Sequence, residues 1–339
     1  MSAPLLRPLL VCAALVSLTG DAPQLVAQQA QTVAPLTITE WKVPWPNTRP
    51  RDPYVAADGK VWFVGQAGNY IANLDPASGQ FRRFEIEEGT HPHNLIIDKQ
   101  GRVWFSGNTN ARIGWLDEAT GKSTIYRMPN SAAKDPHTMI FDRTGNMWFT
   151  AQFSNFVGRL DTKSGAVHLM PSPTKDSRPY GIVIDPSGRP WFDEFGTNKI
   201  GTIDPNTMAI KEYTLPAAAR PRRIAVTSDG IIWYGDFMQG VLGRLDPRTG
   251  QVREFPLPDA KQSLPYAMAS DDRDRIWLAE TGLQPNKLVG FDPKTEKWIS
   301  VTPIAESGGG TVRHMVYHAP TKSLWFGTDN NTIGRARIP

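Results

Sequence analysis

The 339-residue chain holds a single cysteine, Cys12. Cys12 lies inside an N-terminal apolar run, so the rest of the chain offers neither a disulfide nor a thiol nucleophile. A lipoprotein cysteine would follow that run; here apolar residues continue past it. There is no run of Lys and Arg, and the net charge is only +4. That excludes the basic stripe of a nucleic-acid-binding protein. The mild charge suits an anionic ligand as well as a solvated surface. No apolar stretch beyond the N-terminus is long enough to cross a bilayer as a helix. Arg7, the short apolar run Leu9 to Leu18 and the small-residue site Leu25-Val26-Ala27 read as a secretory signal. Residues 1–27 are therefore expected to be removed, and the protein to be periplasmic or secreted in a bacterium. A retained N-terminal anchor is the alternative.

Glycine and proline are plentiful at 29 each, and tryptophan is high at 11. Seven tryptophans recur with similar neighbours: Trp62, Trp104, Trp148, Trp191, Trp233, Trp277 and Trp325, at spacings of 42 to 48 residues. A period of that length, with several short strands per unit, marks a β-propeller. Each unit reads as four strands. The first is apolar, as in Asn94-Leu95-Ile96-Ile97. A glycine turn leads to the second, which carries Trp-Phe. The third is of the Ile-Gly-Arg-Leu-Asp type. A turn such as Asp246 to Gly250 then leads to an outer strand ending in proline. The tryptophans are expected to pack between neighbouring sheets.

The last unit stops after its third strand, at Ile333-Gly334-Arg335, and the missing outer strand appears at the other end as Thr39 to Pro44. The expected architecture is therefore all-β: residues 36–339 form a single seven-bladed β-propeller of four-stranded blades. Residues near 36–44 complete the last blade and remove two sheet edges.

Eleven residues before each tryptophan lies one equivalent position, occupied by Arg51, His93, His137, Tyr180, Arg222, Tyr266 and His314. Six of the seven follow proline, and none is apolar. Innermost strands line the axis of a propeller, so these side chains are expected to face one cavity as ligand-binding groups. The plain structural alternative is hydrogen bonding between blades. A second set follows the tryptophan strands: Glu194, Asp236 and Glu280 three residues on, and Asp329 four residues on. Carboxylates and imidazoles around one cavity could hold a divalent cation or act as acid and base. Alternatively, the carboxylates pair with Arg178, Arg222 or Arg223.

The repeat Pro-[His/Tyr]-x-[Ile/Leu/Met]…Gly-x-x-Trp-Phe…Asn-x-Ile-Gly-x-[Leu/Ile]-Asp resembles the virginiamycin B lyase (streptogramin lyase) family. Pro179-Tyr180-Gly181-Ile182 and Asn198-Lys199-Ile200-Gly201 carry the likeness, which covers about residues 36–339. The resemblance implies a Mg²⁺-dependent elimination that linearises a cyclic peptide at an ester without hydrolysis. It implies His314 as the catalytic base and Asp329 as a metal-side carboxylate. The chain has Tyr266 where the family has histidine, and Val312 where it has glutamate. Glu280 is a further candidate for the metal. The expected function is a carbon–oxygen lyase or an ester- or lactone-opening enzyme acting on a small molecule in the central funnel. Mg²⁺ is the cofactor by resemblance, and Arg51 and Arg222 hold the substrate's carboxylate or carbonyl. A non-catalytic periplasmic propeller that binds a ligand or protein is the alternative. A six-bladed metal hydrolase is disfavoured by the count of seven. The protein is expected to be a monomer, with no nucleic-acid partner and no membrane span once the signal is removed.

Overall fold

The computed structural model describes residues 34–305 and 310–339. The expected signal segment, residues 1–27, lies outside them. Among the described residues no helix is long and apolar enough to cross a membrane.

The structure is all-β: seven four-stranded antiparallel sheets, in six of which each strand pairs with its neighbour in sequence. Blade 1 runs Pro50–Val55, Val61–Gly65, Tyr70–Asp75 and Gln80–Glu85. Blades 2 to 6 repeat the plan over residues 92–127, 136–171, 179–214, 221–256 and 265–303. Blade 7 takes Val312–His318, Ser323–Thr328 and Thr332–Arg337 from the C-terminal end, and its fourth strand is Thr37–Lys42. The pairing runs in register from Thr37 against Arg337 to Lys42 against Thr332. The ring closes as the sequence predicts. Inner strands of successive blades touch in cyclic order, blade 7 meeting blade 1.

The repeat motifs have local causes. The hairpin between first and second strands ends in a glycine at positive φ, such as Gly145 and Gly188, both at 89°. Six residues before each tryptophan, Asp98, Asp142, Asp185 and Asp271 cap that hairpin's backbone and also accept the indole N–H at 2.8–2.9 Å. Thr227 takes the role in blade 5. The glycine of the Ile-Gly motif makes room for the aromatic residue after tryptophan: a Cβ on Gly158 or Gly201 would overlap the ring of Phe149 or Phe192. The tryptophans are core. Trp62 stacks on Phe84 and Trp104 on Tyr126 within their own blades. Trp104 also meets Phe141 of the next blade edge-on.

Candidate functional site

Every innermost strand breaks register just after its first residues. Irregularities fall at Arg51/Tyr54, Pro92/Leu95, Pro136/Met139, Pro179/Ile182, Pro221/Arg223, Pro265/Met268 and Val312/Met315. A bulge sits at each ring position and re-aims the side chain. The bulges are held from the second strand. Ser106 accepts the N–H of Asn94 and donates to the carbonyl of His137; Thr150 does the same for Thr138 and Tyr180. Asp193 takes the equivalent place and accepts the Gly181 N–H at 2.9 Å. Burial pushes the Asp193 carboxyl well up.

The ring residues converge. His93 and His137 lie with ring centres 3.6 Å apart, and His137 and Tyr180 4.1 Å apart. The hydroxyls of Tyr180 and Tyr266 bond directly. The Arg222 guanidinium lies 3.6 Å from the centre of the Tyr266 ring, between Phe195 and Phe237 at 4.7 and 4.2 Å. Arg51 is buried, bonded to Asp52 at 3.0 Å and Gln66 at 3.1 Å. His314 lines an axial channel of about 380 Å³ together with Arg223, Asn94 and Thr138, and apolar inner-strand residues form its other walls. Two larger clefts, of about 650 and 590 Å³, lie at the hairpin turns away from this ring.

Three residues that the sequence did not mark as ring positions belong to this centre. Asp52, at φ 49°, turns its carboxylate inward and accepts Asn94 Nδ2 at 2.8 Å. Arg223 donates to Thr138 Oγ1 at 3.1 Å and to the Arg313 carbonyl. Arg313 lies 5.6 Å from the Tyr266 ring. The site is wired for negative charge. Arg51 Nη2, Arg222 Nε, Arg223 Nη2, His93 Nδ1 and His314 Nδ1 are buried without a hydrogen-bond partner. Burial and the neighbouring arginines hold His93 and His137 well below the usual histidine range, and His314 down to about 4, so all three are neutral at pH 7. Burial alone would raise the Asp52 carboxyl, but Arg51 foremost holds it well below the usual range.

Glu194, Asp236 and Glu280 bond to their own loops and Asp329 reaches this centre only through Arg313; none pairs with Arg178, Arg222 or Arg223. Asp236 accepts the N–H groups of Arg220, Met238 and Gln239. Burial pushes Glu194 up to about 8 beside Thr197. Glu280 accepts Ser263 Oγ at 2.7 Å and the Asp259 N–H, and burial pushes it up to about 7. Asp329 is clamped by Arg313, Nε to Oδ1 at 2.9 Å and Nη2 to Oδ2 at 2.5 Å, with Arg49 at 3.8 Å. The carboxylate that acts on His314 is Asp52 rather than Asp329, although both flank the same blade. The residues in this arrangement do not fit a Mg²⁺ site: both oxygens of Asp329 are bonded by the Arg313 guanidinium, and Glu280 is turned to its own loop. Among the described residues no group of three or more His, Cys, Asp or Glu side chains could hold a metal ion.

Apolar side chains stand where the second strands exit. Phe195 and Phe237 follow those of blades 4 and 5, and one residue further Phe153 and Met238 are 72% and 54% exposed. They are the only large apolar side chains so exposed among the described residues.

The chain matches the virginiamycin B lyase family over residues 36–336. A streptogramin B lyase structure is 27% identical, covers 90% of this chain and 98% of its own, and superposes with a TM-score of 0.80. A catalytically inactive histidine-to-alanine variant of virginiamycin B lyase from Staphylococcus aureus, solved with quinupristin, is 24% identical over 90% of this chain and 100% of its own, also at 0.80. The extracellular domain of a hybrid two-component system from B. thetaiotaomicron shares the fold at 16% identity, covering 90% of this chain and 43% of its own, at 0.67. No curated protein matches.

Proposed function

The chain belongs to the virginiamycin B lyase family, and on that premise we propose that it is an exported carbon–oxygen lyase that opens an ester or lactone by elimination. One observation carries the reading: guanidinium N–H donors of Arg51, Arg222 and Arg223, and ring nitrogens of His93 and His314, are buried without partners at the point where the inner strands converge. Such donors are costly to bury unless a ligand completes them. Their chemistry selects an oxyanion or carboxylate.

Elimination needs a base and a sink for negative charge. His314 is a neutral imidazole at pH 7 and takes the proton α to a carbonyl, the role the family resemblance gives it. The electrons of that C–H bond form a carbon–carbon double bond. The C–O bond at the β carbon breaks, and the leaving oxygen departs as a carboxylate. Arg51, Arg222 and Arg223 stabilise the enolate and the carboxylate, fixed charge standing ready where charge develops. Phe195, Phe237, Phe153 and Met238 suit an apolar or aromatic body on the same ligand. The inactive histidine variant of the Staphylococcus aureus enzyme supports an essential imidazole. A small-molecule ligand and a monomer acting outside the cytoplasm complete the reading.

A second reading, a binding propeller without turnover, is favoured by the Asp329–Arg313 clamp, which occupies the carboxylate a metal would need.

The test is product analysis on streptogramin B-type cyclic depsipeptides and simple lactones. The expected product is ring-opened, unchanged in mass, unsaturated, and free of oxygen from labelled water. His314→Ala is expected to lower turnover by about 10²–10⁴-fold with little change in melting temperature. Incorporation of water would make the enzyme a hydrolase. Ligand binding with no turnover across the panel would establish the binding propeller instead.

A further inference from the structure

We propose that Tyr266 is the resident counter-ion of the arginine cluster: it carries a phenolate at neutral pH, and a ligand's anionic group replaces that charge as Tyr266 takes up a proton. The inference deepens the anionic-ligand reading above and rests on it.

The charges around Tyr266 do not balance. Four guanidinium groups face Tyr266: Arg51 from blade 1, Arg222 and Arg223 from blade 5, and Arg313 from blade 7. Two carboxylates answer them, Asp52 on Arg51 and Asp329 on Arg313. Four against two leaves two positive charges at a centre where Arg51, Asp52 and Arg223 are buried. Burial pushes Asp193, the other carboxyl near Arg223, toward its neutral form, and burial with the neighbouring arginines holds the three histidines in theirs. A surplus of one sign in a low-dielectric setting draws a proton off the nearest acid that can lose one.

That acid is Tyr266. Its hydroxyl bonds to the Tyr180 hydroxyl, and Arg222 lies against its ring. When one phenol of such a pair ionises, the other donates to it, and a hydrogen bond to a charged acceptor is stronger than one between two neutral groups. Burial alone would raise both phenols. Instead the guanidinium groups of Arg51, Arg222 and Arg223, with the bond from Tyr180, draw Tyr266 down to about 7, while Tyr180 is pushed up to about 12 by burial and by Tyr266. Position favours Tyr266 as the phenolate and Tyr180 as its donor: Arg222 lies 3.6 Å from the Tyr266 ring but 5.8 Å from that of Tyr180, and Arg313 stands 5.6 Å from Tyr266.

The consequence is linkage. An anion binds best where Tyr266 is protonated and the cluster carries its full positive charge. Above about pH 7 each unit of pH removes that form about tenfold, and the affinity for a carboxylate falls with it.

The test has a part that needs no ligand. Near-ultraviolet absorbance of the purified protein is followed from about pH 6 to 9, below the ordinary tyrosine range near 10. One tyrosinate is expected to appear around pH 7, and Tyr266→Phe to remove it. Should that variant fail to fold, Tyr180→Phe reads the same point: losing the donor moves the transition up by about one unit. The probe is then 3-phenylpropionate, a carboxylate that does not titrate in this range. At pH 8 it is expected to reduce the tyrosinate signal, and its Kd to rise about tenfold per pH unit above 7 in the native protein but stay flat in Tyr266→Phe. No neutral-range transition overturns the inference and leaves the lyase reading standing. A transition that saturating probe does not change overturns the exchange. A transition with no probe binding at any pH overturns the anionic-ligand reading and the exchange with it, while the phenolate stands.

Discussion

A chain beginning near residue 48 is expected to lose on the order of 5 kcal/mol or more of stability and to associate through its open blade. The strand Thr37–Lys42 supplies the whole outer edge of blade 7. Trp41 stacks on Trp325 with ring centres 5.6 Å apart, and Val43 is buried beside Val61, Phe63 and Ile333. Ile38 packs with the cluster that includes Leu324 and Ala336. Each such side chain is worth about 1.5–3 kcal/mol when fully buried. Polar ties add to them: Asn331 Nδ2 donates to the carbonyls of Val43 and Trp45, and Thr332 donates to Glu40. Without these residues Thr332–Arg337 becomes an unpaired edge, the feature that invites edge-to-edge association. Denaturant titration and sedimentation check the outcome. An unchanged midpoint in a monomeric truncated chain would mean that closure contributes nothing.

The second large effect is expected at Asp52. Asp52→Ala should cost about 3–5 kcal/mol, the usual result of leaving one partner of a buried ion pair uncompensated. Arg51 and Asp52 are 4% and 0% exposed, so neither charge has water to turn to. Asp52 also accepts from Asn94, which in turn accepts the Met139 N–H across the blade boundary. One substitution therefore frees a guanidinium and loosens the link between blades 1, 2 and 3. The double variant Arg51→Met with Asp52→Ala should recover much of the loss, because the stranded charge goes too. The measurement is a double-mutant cycle by chemical denaturation. If Asp52→Ala is as stable as the native protein, the inward-facing pair is not holding the centre together.

The repeat was open to reading because its marks are local. Tryptophan, the turn glycines and the Ile-Gly motif recur where each hairpin and each close ring contact demands them, and the missing outer strand announced the closure. The seven ring positions were found by counting back from tryptophan, and their side chains do come together. Asp52 and Arg223 were missed for a physical reason. A regular strand alternates faces, so the neighbour of an inward residue should point away. The bulge after each ring position breaks that alternation and brings consecutive residues to the same centre. The same position holds Asn94, Thr138, Gly181, Ala267 and Met315 in other blades, so no repeated residue type flags it. Glu280 and Asp329 were placed by spacing alone. Their spacing was right for a shared rim, but each had a nearer partner, the Ser263 loop for one and Arg313 for the other. Sequence spacing places a carboxylate; it does not say which donor reaches it first.

The central claim is that the converging inner strands take the anionic group of a ligand. The most direct measurement is a crystal structure of the protein with 3-phenylpropionate. The account predicts the carboxylate within hydrogen-bond distance of at least two of Arg51, Arg222 and Arg223, with the phenyl ring toward Phe195 and Phe237. A carboxylate found only at the hairpin-turn clefts, with the arginine centre filled by protein side chains alone, would contradict it.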